Sequence, residues 1–127
     1  MVEHFRELRV YRLAFEAAMS IFELSKSWPK EERYALTDQM RRASRSVCAN
    51  ISEAWRKRRY VSHFVSKLSD ADGEAAETQA WLDFGLHCGY ISVDDFKGLN
   101  HKYEAVSGGL VRMMADPKRW CGPSKLS

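Results

Sequence analysis

The sequence of 127 residues predicts an all-α protein, an up-down-up-down antiparallel four-helix bundle. Apolar side chains recur at alternating steps of three and four residues in four segments, which is the spacing of helices that bury one face. The connections between these segments are short, and short connections favour antiparallel neighbours. No segment shows the period-two alternation of a β-strand.

The first helix is predicted over residues 5–27. Trp28 and Pro29 end it, because the residue before a proline is disfavoured in the α conformation. A second apolar row widens its seam, so we expect more than one neighbouring helix to cover it. The predicted seam consists of Leu8, Tyr11, Phe15, Ala18 and Phe22, and the widening row of Val10, Leu13, Ala17, Ile21 and Leu24.

The second helix is predicted from Pro29 to about Trp55. Proline at a helix start loses no hydrogen bond, and the carboxylates that follow it favour the positive end of the helix dipole. A break is expected near residues 36–38, with Thr37 as a fresh cap. The predicted core face consists of Leu36, Met40, Ala43, Val47, Ile51 and Ala54.

The third helix is predicted over residues 62–88 and ends at Gly89, a residue typical of the position after a helix. Ser92, with Asp95 three residues later, predicts the cap of a fourth helix that stops at Asp116 and Pro117. Residues 1–116 are therefore assigned to the bundle. Residues 117–127 are predicted to form a flexible tail, in which Trp120 could pin one part.

Glycine in a helix costs about 1 kcal/mol relative to alanine, so Gly73 predicts close approach of another backbone.

The predicted core positions of the third helix are Phe64, Leu68, Ala71, Ala75, Leu82 and Leu86. Those of the fourth are Phe96, Leu99, Tyr103, Val106, Leu110 and Met113.

Composition excludes several classes of protein. The net charge is only +3, so the whole surface is not a basic covering for nucleic acid, and no apolar run approaches the ~20 residues of a membrane span. The N-terminus lacks the apolar core of a signal peptide. Cys48, Cys88 and Cys121 are widely spaced and form no C-x-x-C pair, which predicts free thiols and a cytoplasmic location.

The sequence offers no arrangement typical of catalysis. A di-iron bundle needs Glu-x-x-His motifs, and none occurs. Asp83 and His87 are the only acid–histidine pair four residues apart. Cys48 lies near the core stripe and is predicted to be a buried, inert thiol. We therefore predict a protein that is not an enzyme and that uses no metal and no cofactor.

Seven cations lie along or just after the second helix, and residues 56–59 hold four of them in succession. Arginine suits phosphate because its guanidinium donates two parallel hydrogen bonds. Trp55 and Tyr60 flank the run and could stack on bases. The alternative is a lattice of ion pairs with Asp70, Glu74 and Glu77. The predicted nucleic-acid-binding residues are Arg41, Arg42, Arg45, Arg56, Lys57, Arg58, Arg59 and Tyr60.

A second candidate surface lies on the third helix, where Trp81 follows several small residues. Tryptophan is enriched in contacts between subunits, and small residues allow close approach. The alternative is burial of Trp81 within its own bundle. The predicted oligomer interface consists of Gly73, Glu74, Glu77 and Trp81.

The pattern L-x-x-Q-x-R-R-A-x-x-S-x-x-x-N-I-x-E occupies residues 36–53, together with an FxxLxVY-like start and the later ETQAWLDF and CGYI segments. With these motifs the chain resembles the bacterial four-helix bundle proteins called 23S rRNA intervening-sequence, or S23-type, proteins over about residues 5–115. The resemblance implies a homo-oligomer, typically a ring of five bundles. It also implies a distant likeness to the accessory protein of diversity-generating retroelements, a basic pentamer that partners a reverse transcriptase.

Two functional hypotheses follow. The first is a non-enzymatic oligomer that binds RNA or single-stranded DNA through phosphate contacts. The second is a structural protein whose basic stripes pair with acidic stripes of neighbouring subunits and whose ring docks a protein partner, such as a reverse transcriptase.

Overall fold

The structure, a computed structural model, describes residues 2–122. It contains four long helices and a short fifth one, and no strand occurs within these residues. Helix α1 packs against α2 and α4, and α3 packs against the same two helices, which confirms the predicted all-α fold. No helix in this range is long and apolar enough to cross a membrane. The helices are α1 (Arg9–Ser25), α2 (Asp38–Arg56), α3 (Val61–His87), α4 (Val93–Ala115) and α5 (Lys118–Cys121).

Where a break in the second helix was predicted, the structure shows only a change of helix type. A 3-10 turn at Lys30–Glu32 leads into a π-helical turn at Arg33–Thr37, which passes directly into α2. Thr37 has helical dihedral angles and its side chain caps nothing, so the predicted fresh cap is wrong. The chain needs no cap there because the helical path continues through residue 37.

The core of α2 to α4 largely follows the predicted faces. All six predicted core residues of α2 are buried, as are all but one of those of α3 and of α4; Leu86 and Phe96 are half-buried. Cys48 is also buried, and burial raises the pKa of its thiol to about 11, which agrees with the predicted inert role.

The predicted seam of α1 is wrong in part. Phe15 is 49% exposed, and Tyr11 and Phe22 are only half-buried. The buried row is smaller and is offset by about one residue, with Val10, Ala14, Ala17, Ala18, Ile21 and Ser25. Small residues on this row allow α2 and α4 to approach α1 closely. The larger aromatic side chains are consequently left at the edge of the bundle.

The end of the bundle that joins α3 to α4 is closed by specific hydrogen bonds. Gly89 has a φ of 80°, and Tyr90 N–H donates to Gly85 O while Gly89 N–H donates to Leu86 O, as in a Schellman motif. The Ser92 hydroxyl accepts a hydrogen bond from Asp95 N–H at 3.1 Å, which confirms the predicted cap of α4. The Tyr90 hydroxyl donates to Glu32 at 2.8 Å and so links this turn to the α1–α2 connection.

Part of the predicted tail is helical. Trp120 in α5 packs edge-to-face on Trp55, with ring centroids 6.3 Å apart, so it holds α5 against the end of α2. The remaining predicted tail residues, 123–127, lie outside the described part of the chain.

Candidate nucleic-acid interface

Arg41, at the start of α2, is committed to the neighbouring helix α1. Its Nε donates to Ser25 Oγ at 2.8 Å, and Nη2 donates to the Phe22 carbonyl at 3.4 Å. Its guanidinium also lies 4.9 Å from the centroid of the Phe22 ring. These contacts satisfy polar groups at the C-terminal end of α1, where a cation is favoured by the helix dipole. Arg41 therefore holds two helices together.

Arg42 and Arg45 are exposed on the same surface of α2. Arg45 lies 5.7 Å from the Phe22 ring, and both arginines line an open groove of about 580 Å³ together with Asp38, Ser46 and Ala49. Their guanidinium groups make no hydrogen bond to another described residue. They are available for an external anion.

The second group of cations, residues 56–59, connects α2 to α3. Arg56, Lys57 and Arg59 are exposed, and Arg59 lies 5.7 Å from the Tyr60 ring. Arg58 differs because it folds back over Trp55 at 3.6 Å from the ring and donates from Nε to the Trp55 carbonyl at 2.7 Å. Burial lowers the pKa of Arg58. As with Arg41, one cation of the group stabilises the bundle and its neighbours face solvent.

The two aromatic residues that flank this run have different environments. Trp55 is only 4% exposed and lies between Arg58 and Trp120, so the expectation that it stacks on bases is wrong. Trp55 is buried because Trp120 of α5 packs on it. Tyr60 lies beside His63, with ring centroids 5.1 Å apart, and is only half-buried.

None of the seven cations predicted to bind nucleic acid forms an ion pair with a described residue. The ion pairs within residues 2–122 join Lys67 to Glu53 and Asp70, Lys26 to Glu23, and Lys102 to Glu16. The alternative of an ion-pair lattice within one bundle is therefore not what this chain forms. Among residues 2–122, the predicted cations of α2 and of the connection after it therefore have no ion-pair partner.

Sequence reasoning missed a further set of cations at the end of the bundle that contains residues 56–59. In an antiparallel bundle the start of α1, the end of α2, the start of α3 and the end of α4 lie together. Cavities at this end bring Arg9, Arg112 and Arg119 together, and Phe5 together with Arg56 and Lys57. The topology predicted from sequence could have identified this grouping. We call it the basic end, with Arg6, Arg9, Arg56, Lys57, Arg58, Arg59, Arg112, Lys118 and Arg119.

Two carboxylates near the basic end, Glu7 and Glu53, have other partners. Glu7 accepts hydrogen bonds from the backbone N–H groups of His4 and Glu3, which lower the pKa of its carboxyl group. Glu53 pairs with Lys67 on α3 at 3.2 Å. Neither carboxylate forms an ion pair with an arginine of the connection between α2 and α3.

The predicted oligomer surface on α3 is largely open. Gly73 and Glu77 are exposed, and a Cβ added at Gly73 would meet no atom within 4 Å, so the close backbone approach expected there does not occur within the chain. Trp81 is half-buried and donates from Nε1 to Glu77 at 3.2 Å. Next to Trp81, Phe84 is 57% exposed. Burial, together with the charges of Glu77 and Asp70, raises the pKa of Glu74.

Similarity to known proteins agrees with this architecture. The sequence profile of 23S rRNA-intervening sequence proteins matches residues 6–112. The chain belongs to this family. A crystal structure of a protein of unknown function from the S23 ribosomal protein family, from Bacteroides thetaiotaomicron, superposes with a TM-score of 0.74 at 27% identity, covering 84% of this chain and 95% of the other. A comparison of this chain with curated proteins found no match.

The pattern that identified this 23S rRNA-intervening sequence protein is explained largely by intrachain contacts. Leu36 and Ile51 are buried, and Arg41 holds the end of α1. Asn50 Nδ2 donates to the Ser46 carbonyl at 2.9 Å and lies 3.1 Å from the Ser46 hydroxyl. Asn50 thus bonds within its own helix. No group of three potential metal ligands occurs within residues 2–122.

Proposed function

We propose that this 23S rRNA-intervening sequence protein is a non-enzymatic, homo-oligomeric module that binds RNA or single-stranded DNA at its basic end. The observation that supports this most is the absence of ion pairs on the predicted cations within residues 2–122, although carboxylates are almost as numerous as cations in the sequence. Unpaired cations suit a polyanion, and those of residues 56–59 lie at the basic end together with Arg9, Arg112 and Arg119.

The exposed side chains make different kinds of contact with the bound strand. Arg56, Lys57 and Arg59 contact phosphates, and the partly exposed ring of Tyr60 stacks on a base. Arg42 and Arg45 extend the contacts along α2 toward the other end of the bundle. Arg41 and Arg58 keep the backbone of the interface in place through their intrachain hydrogen bonds. Phosphate contacts dominate, so the module distinguishes sequence weakly.

Oligomerisation strengthens this binding. One chain with a net charge of +3 is a weak polyanion binder, whereas bundles packed side by side present several basic ends to one strand. Two open surfaces favour such packing. Phe15 and Met19 are exposed on α1, and Phe84 is exposed on α3 next to Trp81.

The test is fluorescence anisotropy with labelled single-stranded RNA and DNA of mixed sequence. The intact protein binds, and the variant with Arg56→Gln, Lys57→Gln and Arg59→Gln loses at least tenfold in affinity. The matched control removes three exposed cations at the opposite end, with Lys26→Gln, Lys30→Gln and Arg33→Gln, and retains affinity within about twofold. Equal losses in both variants, or no binding by the intact protein, would overturn the proposal.

The second candidate is an interaction scaffold whose ring docks a protein partner, such as the reverse transcriptase that the family resemblance implies. The acidic and partly apolar surface of α3 favours it, because opposite charges on α2 and α3 could join neighbouring copies. Arg42→Glu with Arg45→Glu separates the two hypotheses. Loss of the oligomer in light scattering favours the scaffold, whereas an intact oligomer with weakened nucleic-acid binding favours the first function.

A further inference from the structure

A cavity of about 210 Å³ lies between the first turn of α1, the last turns of α4 and helix α5. Leu8, Val10 and Met113 are buried and give it an apolar floor, and Trp120 forms part of its wall. None of these lining residues belongs to the set predicted to bind nucleic acid. The cavity is thus a separate feature of the basic end.

Arginines outnumber carboxylates among the residues that line this cavity. Arg9, Arg112 and Arg119 line it with a single carboxylate, Asp116, and none of the four forms an ion pair with a described residue. The first turn of α1 has no side-chain cap and no acidic residue, although helix starts favour negative charge. The positive groups thus outnumber the negative one by two, and the apolar floor is next to them.

Gly109 of α4 allows the first turn of α1 to lie against α4 beside the cavity. A Cβ at Gly109 would collide with the Val10 side chain, so the start of α1 could not lie against α4. A Cβ at Gly108 would lie at an ordinary contact distance of 3.4 Å from Arg112 Nη1, which shows that the Arg112 guanidinium lies along its own helix. Gly109 therefore lies against both Val10, in the floor of the cavity, and the guanidinium of Arg112.

We propose that this cavity binds a nucleotide through its terminal phosphate. A phosphate monoester carries a charge of about −1.5 to −2 at pH 7, which matches an excess of two cations better than the single charge of an internal phosphodiester does. Arginine binds phosphate in a bidentate manner. The apolar floor and Trp120 receive the planar base. The ligand is either a free mononucleotide or the terminal nucleotide of a strand held at the basic end.

The first experiment is calorimetric titration of the full-length protein with AMP and with adenosine. AMP binds at least tenfold more tightly than adenosine, because only AMP carries the phosphate. Arg112→Gln and Arg119→Gln each weaken AMP binding at least fivefold. Arg12→Gln, which removes an exposed arginine of α1 that does not line the cavity, stays within twofold. Equal binding of AMP and adenosine, no binding of AMP, or no effect of Arg112→Gln would overturn the proposal.

A second comparison identifies the source of the ligand. An oligonucleotide with a 5′-phosphate that binds at least fivefold more tightly than its 5′-hydroxyl form indicates a strand terminus. Equal binding of the two, with AMP still bound, indicates a free nucleotide. The variant with Arg56→Gln, Lys57→Gln and Arg59→Gln keeps its affinity for AMP, because those residues lie outside the cavity. AMP binding that survives a failure of all strand binding therefore rejects the proposed function alone.

Discussion

The two ends of the bundle contain similar residue types but place their charges differently. At the end that joins α3 to α4, Lys26 pairs with Glu23 at 3.1 Å. Arg42 and Arg45 form no ion pair with a described residue there, but this end also carries Glu31, Glu32, Asp38, Asp94 and Asp95. At the basic end, the cations of residues 56–59 form no ion pair with a described residue. A net charge of +3 therefore conceals a separation of charge along the bundle axis.

Trp55 tests whether the basic end contains a folded core beneath its cations. It is 4% exposed and contacts Arg58 and Trp120, so Trp55→Ala should lower the free energy of unfolding by about 3–5 kcal/mol. Urea unfolding followed by circular dichroism measures the change. Trp81→Ala, on the half-buried surface of α3, should cost clearly less. A small effect of Trp55→Ala would mean that Trp55 is available for stacking after all.

Tyr60 and Tyr34 provide a matched comparison of the two ends. Each lies beside an arginine, with Arg59 at 5.7 Å from the Tyr60 ring and Arg33 at 5.5 Å from the Tyr34 ring. Stacking of one base contributes about 1–3 kcal/mol, so Tyr60→Ala should weaken strand binding about fivefold to a hundredfold. Tyr34→Ala, at a side chain that is 73% exposed, should leave binding unchanged. Anisotropy with a labelled strand distinguishes them, and equal losses would contradict a single binding end.

Arg41 and Arg42 are neighbours that should respond in opposite ways. Arg41→Gln removes hydrogen bonds to Ser25 and to the Phe22 carbonyl and should lower the free energy of unfolding by about 1–2 kcal/mol. Arg42→Gln, at an exposed side chain, should change stability by less than about 0.5 kcal/mol and should weaken strand binding. Chemical denaturation and anisotropy of both variants check the pair. The opposite assignment of effects would show that Arg41 is the phosphate contact.

The smallest effect is expected at the opposite end, where the Tyr90 hydroxyl donates to Glu32. This hydrogen bond, with burial and the charge of Glu32, raises the pKa of Tyr90 from 10.0 to about 12. A raised pKa in the folded state means that the contribution to stability is complete below pH ~10 and is lost as pH rises toward 12. Tyr90→Phe should therefore have a lower urea midpoint than the unaltered protein at pH 8, and the gap should close between pH 10 and 12. A gap that is constant with pH would contradict the bond.

Much of the fold could be predicted because α2, α3 and α4 each have one dominant apolar row. In α1 two apolar rows overlap, and periodicity cannot tell which one faces the core. The structure chooses the row of Ala14, Ala17 and Ile21, since small side chains allow closer packing than Phe15 does. Likewise, the π turn before α2 passes directly into the α-helix. Thr37 therefore has the residue type of a cap but lies within a continuous helical path.

The candidate site was predictable in charge but not in detail. The run at residues 56–59 is visible in the sequence, whereas the different roles of Arg41 and Arg58 depend on hydrogen bonds and ring contacts set by folding. Arg9, Arg112 and Arg119 are distant in sequence and become one cluster only through the antiparallel topology. Trp55 was misassigned because nothing in the sequence shows that α5 covers it.

Salt dependence of strand binding tests the central claim, binding of phosphates at the basic end, most directly. For single strands, log K falls with log salt by about 0.7 per phosphate contact. The variant with Arg56→Gln, Lys57→Gln and Arg59→Gln should have a slope smaller in magnitude by about 2 than that of the intact protein, and the variant with Lys26→Gln, Lys30→Gln and Arg33→Gln should keep the full slope. Identical slopes for the two variants would contradict the account.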